Sequence, residues 1–198
     1  MSNHPHATFA SLIRLALTLA FGVVSVDVAR ASEEAWALLK KPGHTVLLRH
    51  AYAPGVFEDP PGVDLKNCKL QRNLDESGRA QARRIGAEFR KHGHKRVRIL
   101  SSQFCRTLET ARLLGLGPVE PLRVLNYLKF DDRAAVDDVV PRTIKFMKSI
   151  PARQLAVLVT HISNVKALTA ITPASGEGVI VHFDPKGNLT VAGRIPAP

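Results

Sequence analysis

The sequence predicts an α/β fold, a three-layer α/β/α sandwich with a mostly parallel central sheet. Three observations predict it. Apolar, β-rich runs recur at 44–49, 96–102 and 154–161, each ending in polar residues, as strands buried on both faces do. Segments of helical periodicity lie at 75–93, 103–115 and 132–150. Strands alternating with helices at this spacing call for βαβ units, whose strands pair in parallel.

Taken in order, the chain opens with "LALTLAFGVVSV" (15–26), preceded by Arg14 and followed by Ala29-Arg30-Ala31. A short apolar run between a basic residue and small residues reads as a secretory signal peptide, too short for the roughly 20 apolar residues of a membrane span. Residues 1–31 are therefore expected to be removed. Residues 32–198 are expected to form one domain, exported to the periplasm or the medium. "SEEAWALLKKPG" (32–43) has acids in its first turn, lysines in its last and a Pro-Gly stop, the marks of a short helix. In 75–93 the apolar positions Ala82, Ile85, Ala87 and Phe89 precede a terminating Gly93. In 132–150 Pro141 is expected to bend the helix or to start it. "GVIVHF" (178–183) and "LTVAG" (189–193), joined by "DPKGN", read as a terminal hairpin. One stretch has no regular pattern: 51–74, long and Pro-rich, begins immediately after His50. Unstructured segments of that length inside a compact domain tend to be functional.

The formal net charge is +11, and loss of residues 1–31, with Arg14, Arg30 and Asp27, leaves the remainder strongly basic. Such a balance attracts anions. Nucleic acid has little support as a partner, because aromatic residues are few and none interleaves the basic run "RKHGHKRVR" (90–98). That run reads either as a solvated face or as a peripheral contact with an anionic envelope surface. The histidines at 44, 92, 94 and 182 lack metal-ligand spacing, and HExxH and CxxC patterns do not occur, so no metal site is expected. Cys68 and Cys105, in an exported chain, are either one disulfide or two free thiols.

Ligands bind at the carboxyl ends of the strands in open α/β sheets. The first strand delivers Arg49 and His50 there, the second Ser101 and Ser102 followed by Arg106 on a first helical turn, and the third His161. Two arginines and two histidines at one edge suit a phosphoryl group, whose oxygens pair with guanidinium forks.

These residues resemble the histidine phosphatase superfamily, in its phosphoglycerate-mutase-like branch, as a small exported member. "RHA" (49–51) is similar to that family's "RHG", "LDESGRAQA" (74–82) to its "LT..G..QA", "SSQFCRTLETA" (101–111) to its "SS...R...TA", and "VTH" (159–161) to its later histidine. The resemblance spans about residues 44–183. It implies a phosphatase without metal or cofactor in which His50 attacks phosphorus to form a phosphohistidine, while Arg49, Arg106 and His161 hold the phosphoryl oxygens. Arg72, Asn126 and Asn164 are further candidates for substrate contact. An imidazole attacks only through an unprotonated nitrogen, so neighbouring cations should push its pKa down, and its other nitrogen should donate to a backbone carbonyl. The family's acid, which protonates the leaving group, has no clear counterpart: Asn126 stands near its place, leaving Asp131 and Asp132 as candidates. The substrate is then a small phosphomonoester or a phosphate with a good leaving group. The alternative is a weakly active or inactive module that binds phosphate or the envelope.

Overall fold

In the computed structural model of the chain, the residues described are 33–55, 59, 62–129 and 131–198. The segment expected to be a signal peptide lies outside them. By its contacts the chain divides into residues 1–34 and 35–198. The sheet and its covering helices belong to the second unit, and only the first two residues of α1 (33–38) fall before the division. Among the described residues no helix is long and apolar enough to cross a membrane.

Six strands form one sheet in the order β3-β2-β4-β1-β5-β6. β1 (Thr45–Arg49), β2 (Arg98–Ser101) and β4 (Ala156–Thr160) are the three expected from their apolar runs. They pair in parallel, β4 between the other two. β3 (Val119–Pro121) adds a fourth parallel strand at the edge of β2. β5 (Gly178–Phe183) and β6 (Leu189–Ile195) make the expected hairpin, and β5 runs antiparallel to β1.

Alternation along the strands divides the core in two. Val46, Leu48, Ile99, Val157, Val159 and Ile180 pack with Trp36, Ile85, Phe89, Ala111 and Leu114, so α1, α2 (Glu76–Lys91) and α3 (Cys105–Leu114) cover one face. Leu47, Leu100, Leu158, Val179 and Val181 pack with Met147 and Val165, placing α4 (Arg133–Lys148) and α5 (Ile162–Thr169) on the other. This is the expected three-layer arrangement, with β1 and β4 buried on both faces as central parallel strands are. α2 can approach its neighbours because two glycines lie where it does so. A Cβ on Gly86 would stand 1.9 Å from the Leu114 carbonyl oxygen, and one on Gly78 would stand 1.9 Å from that of Tyr52. The second contact fixes the start of α2 against the segment that leaves His50.

Pro141 lies inside α4 and does not start it: the helix is capped well before it by Asp132, whose side chain accepts from the Ala135 amide. Cys68 and Cys105 are joined as a disulfide, with Cα atoms 5.7 Å apart, which decides against two free thiols. The basic run 90–98 is partly drawn into the fold. Arg90 donates to the Leu114 carbonyl, Arg98 forks onto Glu120, and His92 stacks on Trp36 with ring centroids 4.3 Å apart.

Candidate active site

Three neighbouring strands end at the same level. The His50 amide donates to the Thr160 carbonyl and the Ser102 amide to the Val159 carbonyl, so the residues after β1, β2 and β4 are held side by side by sheet register. His50 and His161 are 2% and 1% exposed, and their rings meet edge-on at 5.6 Å between centroids.

The His50 Nδ1 atom lies 2.7 Å from the Ala51 carbonyl oxygen. A carbonyl only accepts, so this nitrogen carries the proton and Nε2 keeps its lone pair. Burial, and next the Arg106 charge, push the His50 pKa well below its ordinary 6.5, Arg72 and Arg49 adding to the effect. The same two causes, in the same order, push that of His161 well below its own. Both imidazoles are therefore neutral near pH 7, and His50 has a free nucleophilic nitrogen.

Donor directions around His161 form a consistent chain. Arg106 Nη2 has only protons to give, so it donates to His161 Nδ1 at 3.3 Å. His161 Nε2 then carries the ring proton and donates to Ser102 Oγ at 2.9 Å. The Ser102 hydroxyl passes its own to Asn126 Oδ1 at 3.2 Å, which also accepts from the Gln103 main-chain amide at 2.8 Å. Asn126 Nδ2 closes the network on Gln103 Oε1. Asn126 thus fixes a tautomer through Ser102, and both ends of its amide are engaged within the protein. Asn164 is buried and donates to the Asn126 carbonyl, which supports Asn126 from below. These bonds give both asparagines a bracing role beside the substrate contacts expected of them, and Asn126 also lines the cavity next to the site.

Arg106, in the first turn of α3, has no exposed surface. Its guanidinium stacks on Phe104 at 4.8 Å, and its Nε atom, buried, has no hydrogen-bond partner. Arg49 donates to the Pro173 carbonyl at 2.8 Å and is half-buried beside Glu177. Arg72 donates to the Ala53 carbonyl and feels the charges of Arg106, Asp59 and Arg49. Three arginines converge where strand ends alone account for two. The disulfide contributes directly, because Cys105 immediately precedes Arg106 and its amide donates to Gln71 Oε1 at 2.9 Å.

The two aspartates expected to supply an acid are not brought in. Asp132 is the exposed cap of α4, and Asp131 is exposed beside it. Asp59 was not legible as a site residue. Its Oδ2 atom lies 2.6 Å from Arg106 Nη1 and its Oδ1 accepts from the Arg72 amide at 2.7 Å, with its side chain only 4% exposed. The one signal in sequence was an acid inside the Pro-rich stretch that follows His50. Asp59, Phe104, Asn126 and Tyr127 also line a cavity of about 460 Å³, which opens beside His161 because Phe104 and Tyr127 both abut its ring. Among the described residues no group of three His, Cys, Asp or Glu side chains could hold a metal ion.

Residues 45–132 match the histidine phosphatase superfamily (branch 1). This segment belongs to that superfamily. Solved structures of the histidine phosphatase fold agree over nearly their whole length. YhfR of Bacillus stearothermophilus is 19% identical with a TM-score of 0.60, the match covering 78% of this chain and 98% of that one. The protein histidine phosphatase SixA, solved with tungstate, is 18% identical with a TM-score of 0.55, covering 78% and 97%. A phosphoserine phosphatase of Entamoeba histolytica, solved with phosphoserine, is 11% identical with a TM-score of 0.58, covering 76% and 95%. No curated protein matches the chain in sequence. Superfamily and fold together support phosphatase chemistry.

Proposed function

We propose that the chain is an exported phosphatase that hydrolyses a phosphate group through a phosphohistidine on His50. The observation that carries this reading is the pairing of an imidazole whose Nε2 is unprotonated, fixed by the bond from Nδ1 to Ala51, with a buried Arg106 whose Nε lacks a partner. One is a nucleophile for phosphorus and the other an anion clamp. The tungstate in the structure of SixA, a tetrahedral oxyanion, supports the same use of this fold.

In the first step His50 Nε2 attacks phosphorus in line and the bond to the leaving oxygen breaks. Arg49, Arg72 and Arg106 neutralise the oxygens as charge shifts among them. His161 joins them as the anion draws the guanidinium charge away: its Nδ1 then gains a proton and donates. In the second step water attacks the phosphohistidine and restores the imidazole.

The substrate is proposed to be a small or terminal phosphomonoester presented outside the cytosol. The stretch 90–98 is proposed as the face turned to an anionic envelope, through those cations that the fold does not engage. A second reading, a phosphate-binding module with little turnover, draws on Asn126, whose amide cannot donate a proton as an acid would. Incubating the protein and His50→Ala with p-nitrophenyl phosphate, followed by mass spectrometry of the protein quenched in alkaline denaturant, tests the choice. Hydrolysis with an adduct of about 80 Da on His50, the mass of one phosphoryl group, is expected, both lost in the variant. Phosphate binding without hydrolysis would establish the module instead.

A further inference from the structure

We propose that Asp59 is the proton donor to the leaving group, held at Arg106 until a phosphoryl group arrives. The inference rests on the phosphatase function proposed for His50 and supplies the acid that Asp131 and Asp132 do not.

The geometry favours Asp59 on three grounds. Its carboxylate is bound to the same guanidinium whose remaining Nε is unpartnered, so it stands beside the place an oxyanion would take. It lines the cavity of about 460 Å³ that adjoins His161, on the side where a leaving group has room. The other buried carboxylate nearby, Glu177, is taken up elsewhere: it accepts from the Ala174 amide and pairs with Arg194. Asp138, which also lines the cavity, is tied to Arg142 on the surface.

The electrostatics supply the timing. Asp59 faces the cations Arg106 and Arg72, and the cavity adds Tyr127, Arg123 and Lys129. Its carboxylate is then paired. A phosphoryl dianion engaging Arg106 places a like charge beside it and withdraws part of the cationic field. In the proposed cycle Asp59 acts from its carboxyl form, and its proton is restored in the second step. When His50 Nε2 forms its bond to phosphorus, the bond from phosphorus to the leaving oxygen breaks and that oxygen takes the Asp59 proton. When water attacks the phosphohistidine, its proton returns to the Asp59 carboxylate and the bond from phosphorus to nitrogen breaks. Protons and electron pairs balance over the two steps.

The test compares an activated and an unactivated leaving group: p-nitrophenyl phosphate and glycerol 2-phosphate, from pH 4 to 8, with the full chain, Asp59→Asn, Asp59→Glu, Asp132→Asn and His50→Ala. Asp59→Asn is expected to lower kcat on glycerol 2-phosphate by about 10²-fold or more, and on p-nitrophenyl phosphate by less than about tenfold. The fall in rate on the basic side of the pH profile should vanish with it. Asp59→Glu, which keeps the carboxyl, should restore part of the loss, and Asp132→Asn should cause none. Vanadate affinity and cooperative unfolding report whether the clamp survives in each variant. Equal losses on both substrates, a loss that follows vanadate affinity, or no loss would overturn the assignment while leaving His50-dependent hydrolysis standing. Hydrolysis that survives His50→Ala, or none by the unaltered chain, would overturn the phosphatase function and the role of Asp59 with it.

Discussion

Two histidine pairs sit at opposite ends of β1. At its amino end His44 and His182 lie 5.3 Å apart between ring centroids, over a cavity of about 220 Å³ lined by Lys148 and no arginine. At its carboxyl end His50 and His161 lie 5.6 Å apart, nearly sealed from solvent and facing Arg49, Arg72 and Arg106. Ring proximity is almost the same, so proximity does not make a site. What differs is the cationic enclosure and the single carbonyl that decides which nitrogen of His50 has its proton. His44 Nδ1 instead meets two carbonyls, of Lys41 and Pro42, at the partly open start of the strand.

The comparison is broken most directly by removing one ring from each pair. His50→Ala is expected to lower p-nitrophenyl phosphate hydrolysis by more than about 10⁴-fold, the scale seen when a covalent nucleophile is deleted. Loss of Arg106 is next in size. Arg106→Ala leaves Asp59 buried without its guanidinium, and denaturant unfolding should show a loss of about 3–5 kcal/mol. Adding Asp59→Asn to that variant should return much of the loss, because the stranded charge is then gone.

Reduction of the Cys68–Cys105 bridge, which spans a sequence separation of 37, should cost about 3–4 kcal/mol by the chain-entropy account. It should also weaken vanadate binding, since the bridge ties the helix of Arg106 to the segment of Arg72 and Asp59. Acid should then expose the difference between the pairs. His50 and His161 hold folded pKa values below the unfolded 6.5, so below about pH 6.5 the unfolded chain binds more protons than the folded one. Stability therefore falls as pH drops from 6.5 toward the depressed folded values, by up to about 1.4 kcal/mol per pH unit for each ring. Chemical denaturation in a pH series should show this slope lessened in His161→Ala. The smallest effect is expected at the other end, where His44→Ala should change kcat/KM by less than about twofold, as for a substitution away from the site.

The parts of the molecule that could be read in sequence are those whose information is local. β1, β2 and β4 each announce themselves as β-rich apolar stretches ending in polar residues, and α2 by its period and the Gly93 that follows it. β3 does not, because three residues ending in a proline at the sheet edge carry no period. α5 follows His161 with Ile162, Val165 and Thr169 among its eight residues, and β-branched residues give no helical signal. His50, Arg106 and His161 were legible because strand ends place them. Asp59 was not, since its partner is 47 residues away and the two meet only in the folded chain. The bracing role of Asn126 was hidden for the same reason: its partners, Ser102 and Gln103, belong to another strand end.

The chain of donors from Arg106 through His161 and Ser102 to Asn126 ends against the Gln103 main-chain amide. A side-chain donor can be lost by a single codon change. A main-chain amide survives every such change but one, proline alone lacking it. The orientation of His161 thus leans at its far end on the polymer backbone, while the Gln103 side chain, accepting from Asn126 Nδ2, keeps that amide turned the right way round.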